Sequence, residues 1–120
     1  MGFLDTLFKK PYRVVGPEEA KEAMERGAVL LDVRESHEWR SGHAPKARHI
    51  PLSQLGSRAK ELPRNREILV VCRSGNRSAR AARLLSAQRG DVANVKGGMG
   101  AWARRGLPVV AKGGGPGRVA

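Results

Sequence analysis

The hydrophobic positions of this chain fall in short runs separated by segments of mixed pattern. Two runs, AVLLDV at residues 28–33 and EILVV at 67–71, are almost continuously apolar and have the length of a strand. Such runs indicate strands that are covered on both faces. Shorter β-prone stretches predict further strands at residues 12–15, 47–50 and 91–95.

The segments between these strands carry the pattern and the end signals of helices. Pro17 suits the first position of a helix, and the two glutamates after it suit the positive helix end. Ser36 is predicted to cap a short helical turn, and Ser78 to open a clear helix rich in alanine and leucine. The predicted helices lie at residues 17–26, 36–41, 53–62 and 78–89 and around Trp102.

The alternation of strands and helices predicts an α/β fold with a mostly parallel sheet. At 120 residues the chain has the length of one domain. We expect an N-terminal arm at residues 1–10, a folded domain at 11–110, and a disordered tail at 111–120, where glycine and proline are frequent. Ligands of parallel sheets bind beyond the carboxyl ends of the strands, and Cys72 is the first residue past one of these ends.

The composition is strongly basic, with 23 lysines and arginines against 11 acidic residues and a formal net charge of +12. Such a surface attracts anions, which include small inorganic ions, acidic proteins and nucleic acid. Aromatic residues make up 4% of the chain, which provides no stacking platform for bases, so nucleic acid is the least favoured partner. The abundance of arginine, alanine and glycine also fits the compositional bias of a GC-rich bacterial genome.

Cys72 is the single cysteine of the chain. An internal disulfide is therefore excluded, which points to a reducing compartment and favours the cytoplasm. No apolar run approaches the roughly 20 residues that span a bilayer, so no membrane span is predicted.

The residues that follow Cys72 form a pattern that activates a thiol. They link a predicted strand to a predicted helix and are Arg73, Ser74, Gly75, Asn76, Arg77 and Ser78. In a short loop of this kind the backbone N–H groups turn inward, and Gly75 and Asn76 permit the curl. These amides, the helix dipole and the two guanidinium groups lower the pKa of a thiol at the start of the loop. Cys72 then becomes a nucleophile that needs no general base.

Two other interpretations of Cys72 stay open at this point. The first is a small buried hydrophobic residue at a strand end, the usual role of an isolated cysteine. The second is a cysteine–histidine pair, because the chain contains His37, His43 and His49, although none lies in a pattern that positions it against Cys72. The histidines and the cysteine have no metal-ligand spacing, so no metal site is predicted.

Three motifs resemble the rhodanese family of sulfurtransferases. CRSGNRSARAARLL, from Cys72 onward, resembles the active loop of that family and the helix that follows it. LLDVRESHEWRSGHAPKARHIPLSQL, at residues 30–55, resembles the family's DVR…E…GH…IP stretch, and VKGGMGAWARRGLPV, at 95–109, resembles its closing GG…W…G.P segment. The motifs occur in the expected order, and the resemblance covers about residues 12–109.

The resemblance implies both a fold and an activity. The fold is a sheet of five parallel strands with helices on both faces. Cys72 would take the outer sulfur of a donor such as thiosulfate, carry it as a persulfide, and pass it to cyanide or to a thiol, which includes a protein acceptor. The amides from Arg73 to Ser78 would hold this sulfur, and Arg73 and Arg77 would attract the anionic donor. The resemblance implies no metal or organic cofactor.

Asp32 and Arg34 are assigned a supporting role next to this site. Asp32 ends a predicted buried strand, so its carboxylate is expected near the sheet edge that carries the active loop. It either orients the loop or forms a structural ion pair with Arg34, and the ion pair is the favoured interpretation.

The spacing inside the loop separates two chemistries. Four residues lie between Cys72 and Arg77. Phosphatases that use a similar cradle place one more residue there, so Ser78 occupies the position of their arginine, and the smaller cradle favours a sulfur atom over phosphate. Two alternatives to a thiosulfate-type enzyme stay open. One is a sulfur carrier or interaction module that uses free thiosulfate poorly, and the other is a basic domain that binds nucleic acid.

Overall fold

A computed structural model of the chain describes residues 10–120, so the N-terminal arm predicted at 1–10 lies almost wholly outside the described residues. The strands are β1 (Arg13–Val15), β2 (Val29–Asp32), β3 (Arg48–His49), β4 (Ile68–Val71) and β5 (Val92–Val95). The α-helices are α1 (Pro17–Glu25), α2 (Ser36–Ser41), α3 (Leu55–Arg58), α4 (Asn76–Ser86) and α5 (Gly98–Arg104). Within residues 10–120, none of the helices combines the length and the apolar character needed to cross a bilayer.

The five strands form one sheet in the order β1-β5-β4-β2-β3, and every neighbouring pair is parallel. Leu31 of β2 lies opposite Val70 of β4, which lies opposite Asn94 of β5. All residues of β2, β4 and β5 are buried. The predicted α/β fold is confirmed, and the sheet is parallel throughout.

Hydrophobic cores lie on both faces of the sheet. Leu31, Val70 and Cys72 belong to a core that also contains residues of α3 and α4. Leu30 and Leu69 point to the other face and pack in a core with residues of α1 and α5. Burying one such leucine contributes about 1.5–3 kcal/mol, and the two-sided cover explains why these strands are apolar at successive positions.

Two helix starts differ from the sequence-based predictions. The cap of α2 is Glu35 and not Ser36, because the Glu35 side chain accepts the backbone N–H of Glu38 while the Glu38 carboxylate accepts the N–H of Glu35. Helix α4 begins at Asn76 and not at Ser78, after Gly75 in a left-handed conformation with a φ of 115°. Ser78 therefore lies in the first turn of α4.

The helix predicted at residues 53–62 is also shorter and less regular than expected. It consists of α3 with a short 3-10 turn on each side, Leu52–Gln54 before it and Ala59–Glu61 after it. Leu55 and Leu62 both pack in the core, and the second 3-10 turn lies between them.

The tail at residues 111–120 differs from the predicted disordered segment. Just before it, Val110 exchanges backbone hydrogen bonds with His43 at 2.9 Å in each direction. Arg118 N–H then donates to the Ser41 carbonyl at 2.9 Å, and the tail backbone passes directly against Gly42. The segment has few apolar side chains, but its backbone hydrogen bonds hold it against the folded domain.

Candidate active site

Cys72 lies one residue past the carboxyl end of β4, and 1% of its surface is exposed. Its carbonyl accepts the N–H of Met99 at 2.7 Å, and the carbonyl of Arg73 accepts the N–H of Gly100 at 2.9 Å. Both acceptors therefore face α5. Residues 73–78, which we name the Cys72 loop, direct the N–H groups of Ser74, Gly75 and Ser78 to the sulfur.

The Cys72 sulfur is surrounded by hydrogen-bond donors. The Gly75 N–H lies 3.0 Å from Sγ, and the Ser78 Oγ lies 3.3 Å from it. Burial raises the pKa of Cys72, but the Ser78 hydroxyl and the backbone N–H groups of Ser78, Gly75 and Ser74 outweigh burial and bring the pKa below its ordinary value. The site thus favours a thiolate through hydrogen bonds.

Two glycines permit the close packing around the loop. Gly75 has a φ of 115° and Gly98 a φ of 58°, both in the left-handed region that favours glycine. A Cβ on Gly98 would overlap the Cys72 carbonyl oxygen and the backbone of Arg73. The start of α5 can approach the loop this closely only because residue 98 has no side chain.

Arg77 is held by a partner that the sequence reasoning did not assign to the site. Its Nη1 and Nη2 donate to Oε1 and Oε2 of Glu38 at 2.6 and 2.9 Å. These hydrogen bonds lower the pKa of Glu38 to about 2, and they raise the pKa of Arg77. The negative Cys72 sulfur adds to the second effect, so Arg77 contributes positive charge to the site while its guanidinium faces Glu38.

Arg73 turns away from the loop that contains it. Its Nε donates to the Ala120 carbonyl at 2.7 Å. A Cβ on Gly100 would meet the guanidinium groups of both Arg73 and Arg104, so these two groups lie together over α5. Arg73 is exposed, and its guanidinium lies on the α5 side of the Cys72 loop. The side chains of Ser74 and Asn76 are also exposed.

Asp32 and Arg34 form a fully buried ion pair at the end of β2. Arg34 Nη2 lies 2.8 Å from Asp32 Oδ2 and 2.7 Å from the Gly42 carbonyl oxygen, and the Arg34 N–H donates to Asp32 Oδ1 at 3.0 Å. Both side chains have 0% exposure. The pair fixes the turn between β2 and α2 and the end of α2, which is the helix that presents Glu38 to Arg77.

Asn94 is a second residue of the site that sequence reasoning missed. It lies within β5, and 8% of its surface is exposed. Its Oδ1 accepts the Ser78 hydroxyl at 2.6 Å, and its Nδ2 donates to the Gly75 carbonyl at 3.3 Å. The sequence signal for Asn94 was its position as a polar residue inside the apolar run DVANV. A buried amide needs hydrogen-bond partners, so such a position indicates polar contacts.

The histidines take part in other contacts. The Trp39 ring stacks with the rings of His43 and His49, at centroid distances of 3.6 and 4.9 Å. His43 Nδ1 lies 2.7 Å from the Trp39 carbonyl oxygen, and His49 Nε2 lies 2.7 Å from the Arg34 carbonyl oxygen. His37 is exposed on α2. The hydrogen bonds to Cys72 come from backbone amides and Ser78, so the geometry does not support a cysteine–histidine pair.

Comparison with known proteins gives consistent results over most of the chain. A family model described as "Rhodanese-like domain" matches residues 16–105. The chain is 42% identical over 84 residues to a sulfurtransferase of Allochromatium vinosum, which covers 69% of this chain and 78% of that protein. It is 35% identical over 92 residues to the thiosulfate sulfurtransferase GlpE of Pseudomonas syringae, which covers 76% and 87%. A crystal structure of a rhodanese-related protein from Thermoplasma volcanium aligns with a TM-score of 0.78 at 35% identity, covering 82% of this chain and 98% of that one.

Proposed function

The chain belongs to the rhodanese-like domain family, and from this membership we propose that it is a sulfurtransferase whose Cys72 carries a sulfane sulfur as a persulfide. The proposed donor is a small anion such as thiosulfate, and the acceptor is cyanide or a thiol. The observation that carries the proposal is the contact of Cys72 Sγ with the Gly75 N–H at 3.0 Å and the Ser78 Oγ at 3.3 Å, in a loop that lowers the pKa of the thiol.

The proposed reaction has two displacement steps at sulfur. In the first, the Cys72 thiolate attacks the outer sulfur of thiosulfate, the sulfur–sulfur bond of the donor breaks, and sulfite leaves with the bonding electron pair. Sulfite is stable as an anion, so this step needs no acid. In the second, the acceptor attacks the outer sulfur of the persulfide, and the Cys72 thiolate is released as the leaving group.

The Cys72 loop has two roles in this scheme. Its inward N–H groups stabilise the thiolate before attack and the negative outer sulfur of the persulfide after it, as amides in an oxyanion hole stabilise oxygen. The loop also limits the size of the anion. Its spacing of four residues between Cys72 and Arg77 is one shorter than in the phosphatase cradle, which supports sulfur chemistry over phosphate chemistry.

The proposal is tested by the intact mass of the purified protein. Incubation with thiosulfate should add the mass of one sulfur atom, and subsequent cyanide should remove it and form an equivalent amount of thiocyanate. Cys72→Ser is the control and should show neither change. Because the chain has one cysteine, the added sulfur has one thiol to occupy.

The same measurement separates the enzyme from the sulfur carrier. A protein that gains no sulfur from thiosulfate but gains one from a protein persulfide is a carrier or interaction module. A protein that gains sulfur from neither source contradicts the proposed persulfide on Cys72.

A further inference from the structure

Asn94 brings a polar side chain to the floor of the Cys72 loop. It lies on β5, opposite Val14 of β1 and Val70 of β4, in a strand whose other residues are apolar. Burying an amide in such a position is costly unless its donors and acceptors are satisfied. Its two side-chain hydrogen bonds both go to the Cys72 loop, to Ser78 and to Gly75.

The orientation of this amide is set by Gly75. A carbonyl oxygen can only accept a hydrogen bond, so the Asn94 Nδ2 must face the Gly75 carbonyl, which lies 3.3 Å away. Asn94 Oδ1 therefore faces Ser78, and Ser78 must donate to it. The contact of 2.6 Å between Ser78 Oγ and Asn94 Oδ1 is the shortest that the hydroxyl makes.

Ser78 has one hydroxyl hydrogen and three acceptors around it. These are Asn94 Oδ1 at 2.6 Å, the Gly75 carbonyl at 3.2 Å and Cys72 Sγ at 3.3 Å. When Cys72 is a neutral thiol, its S–H can donate to Ser78 Oγ while Ser78 donates to Asn94. When Cys72 is a thiolate, it can only accept, and it then competes with Asn94 for the Ser78 hydrogen.

We propose that Asn94 is a positioning residue that competes with the Cys72 thiolate for the single Ser78 hydroxyl hydrogen, and so restrains ionisation of the sulfur before it attacks a donor. The competition follows from the hydrogen-bond geometry alone. Its consequence for catalysis rests on the proposed sulfurtransferase function.

The charged groups around the thiol do not act through Asn94. Among residues 10–120, the titratable and charged groups at this edge of the sheet are Asp32 at the end of β2, Arg34 and Glu35 after it, Glu38 on α2, His49 at the end of β3, Arg73 in the loop, Arg77 on α4, Lys96 after β5 and Arg104 on α5. Asp32 pairs with Arg34 and Glu38 pairs with Arg77, while Arg73 lies over α5. Asn94 and its partners are neutral, so a neutral substitution at Asn94 changes the hydrogen bonding without changing any charge.

The test is the pH dependence of Cys72 ionisation in Asn94→Val. Valine suits a buried strand and accepts no hydrogen bond, so the Ser78 hydrogen is left to the thiolate and the Gly75 carbonyl, and the charged thiolate is the stronger of these two acceptors. The rate of alkylation by iodoacetamide, measured against pH, reports this ionisation without interference because the chain has one cysteine. We expect the pKa of Cys72 to fall, with about three- to tenfold faster alkylation at a pH below the transition.

The decisive control is the same substitution in a Ser78→Ala background. If Asn94 acts through the Ser78 hydrogen, Asn94→Val has no effect on the alkylation profile of Ser78→Ala. An equal shift in both backgrounds overturns the proposal, as does an unchanged or raised pKa in Asn94→Val alone, which would show that Asn94 only holds the loop in shape. Asn94→Ala, which also lacks an acceptor, replaces the valine variant if that protein does not fold. The titration uses no sulfur donor, so its failure leaves the proposed sulfurtransferase function untouched.

Discussion

Glu38 of α2 and Arg77 of α4 are joined by two parallel hydrogen bonds of 2.6 and 2.9 Å across 39 positions of the chain. Both residues sit at the start of a helix, and Arg77 is also part of the Cys72 loop. Two parallel hydrogen bonds between a carboxylate and a guanidinium fix the orientation of both side chains, in addition to pairing their charges. The contact therefore ties the loop that surrounds the sulfur to the neighbouring helix.

We expect Glu38→Gln to destabilise the protein. The variant keeps the shape of the side chain but removes its charge, and about 1 kcal/mol of unfolding free energy is lost, since a third of the Arg77 side chain is exposed and solvent screens the pair. Urea unfolding followed by circular dichroism measures this loss. Glu22→Gln removes the same charge from an exposed position in the middle of α1, away from the helix ends, and should leave the unfolding free energy unchanged. Equal losses in both variants would show that net charge, and not the pair, is responsible.

The stability difference between wild type and Glu38→Gln should depend on pH. The pKa of Glu38 is lowered from its ordinary value of 4.5 to about 2 in the folded protein. A carboxylate with a lowered pKa stabilises the fold fully above its ordinary pKa, and this contribution is lost as the pH falls through the folded value. The difference should thus be constant above about pH 4.5 and shrink toward pH 2. A difference that persists below that range would contradict the ion pair as its source.

The fold and the position of Cys72 could be predicted because they depend on local signals. The apolar runs of β2 and β4 mark strands covered on both faces, and a residue that follows such a strand must lie at the carboxyl edge of a parallel sheet. The glycine and the polar residues after Cys72 indicate a tight turn. These inferences do not depend on tertiary contacts between residues that are distant in the sequence.

The partners of the Cys72 loop could not be predicted, because they come from distant parts of the chain. Arg77 has the same local pattern whether it faces a substrate or Glu38, and only the tertiary position of Glu38 decides between them. Arg73 bonds to Ala120, from a tail whose composition indicated disorder. Asn94 was visible as a polar residue in an apolar strand, but its partner Ser78 depends on the sheet order, in which β5 lies beside β4.

We expect sulfur uptake by Cys72 to follow ionisation of its thiol. Because the pKa is below the ordinary 9.0, the rate of uptake from thiosulfate should rise with pH and reach half of its maximum below pH 9.0. Ser78→Ala removes a hydrogen-bond donor from the thiolate and should move the transition to higher pH. Rapid-mixing mass measurements at a series of pH values give both profiles. An identical transition in the variant would show that the backbone amides alone determine the pKa.

Gly98→Ala should damage both stability and sulfur uptake. An alanine Cβ would overlap the Cys72 carbonyl oxygen and would require the left-handed φ of 58°, which costs about 1–3 kcal/mol before any steric overlap is counted. Thermal unfolding and the mass assay measure the two effects. Gly56→Ala is the matched control, because Gly56 lies in α3 with no atom within 4 Å of its Cβ position, and it should be neutral or slightly stabilising.

Arg73→Ala should weaken the use of an anionic donor without changing the thiol. The Arg73 guanidinium bonds to the Ala120 carbonyl and lies over Gly100 beside Arg104, so its charge lies next to α5 and not against the sulfur. We expect about a threefold rise in KM for thiosulfate at low ionic strength, which salt should reduce because the interaction is exposed. Alkylation by iodoacetamide, a neutral reagent, should keep its rate.

Arg83→Ala provides the comparison for this result. Arg83 lies on α4 with its guanidinium over the Tyr12 ring at 5.7 Å, so the variant loses the same charge away from the Cys72 loop. If the electrostatic potential of the whole basic surface attracts thiosulfate, the two variants will raise KM equally, and Arg73 then has no specific role in donor binding. If Arg73→Ala slows iodoacetamide as much as thiosulfate, the side chain acts by shaping the loop. A KM effect confined to Arg73 and to the anionic substrate supports an electrostatic role of its guanidinium.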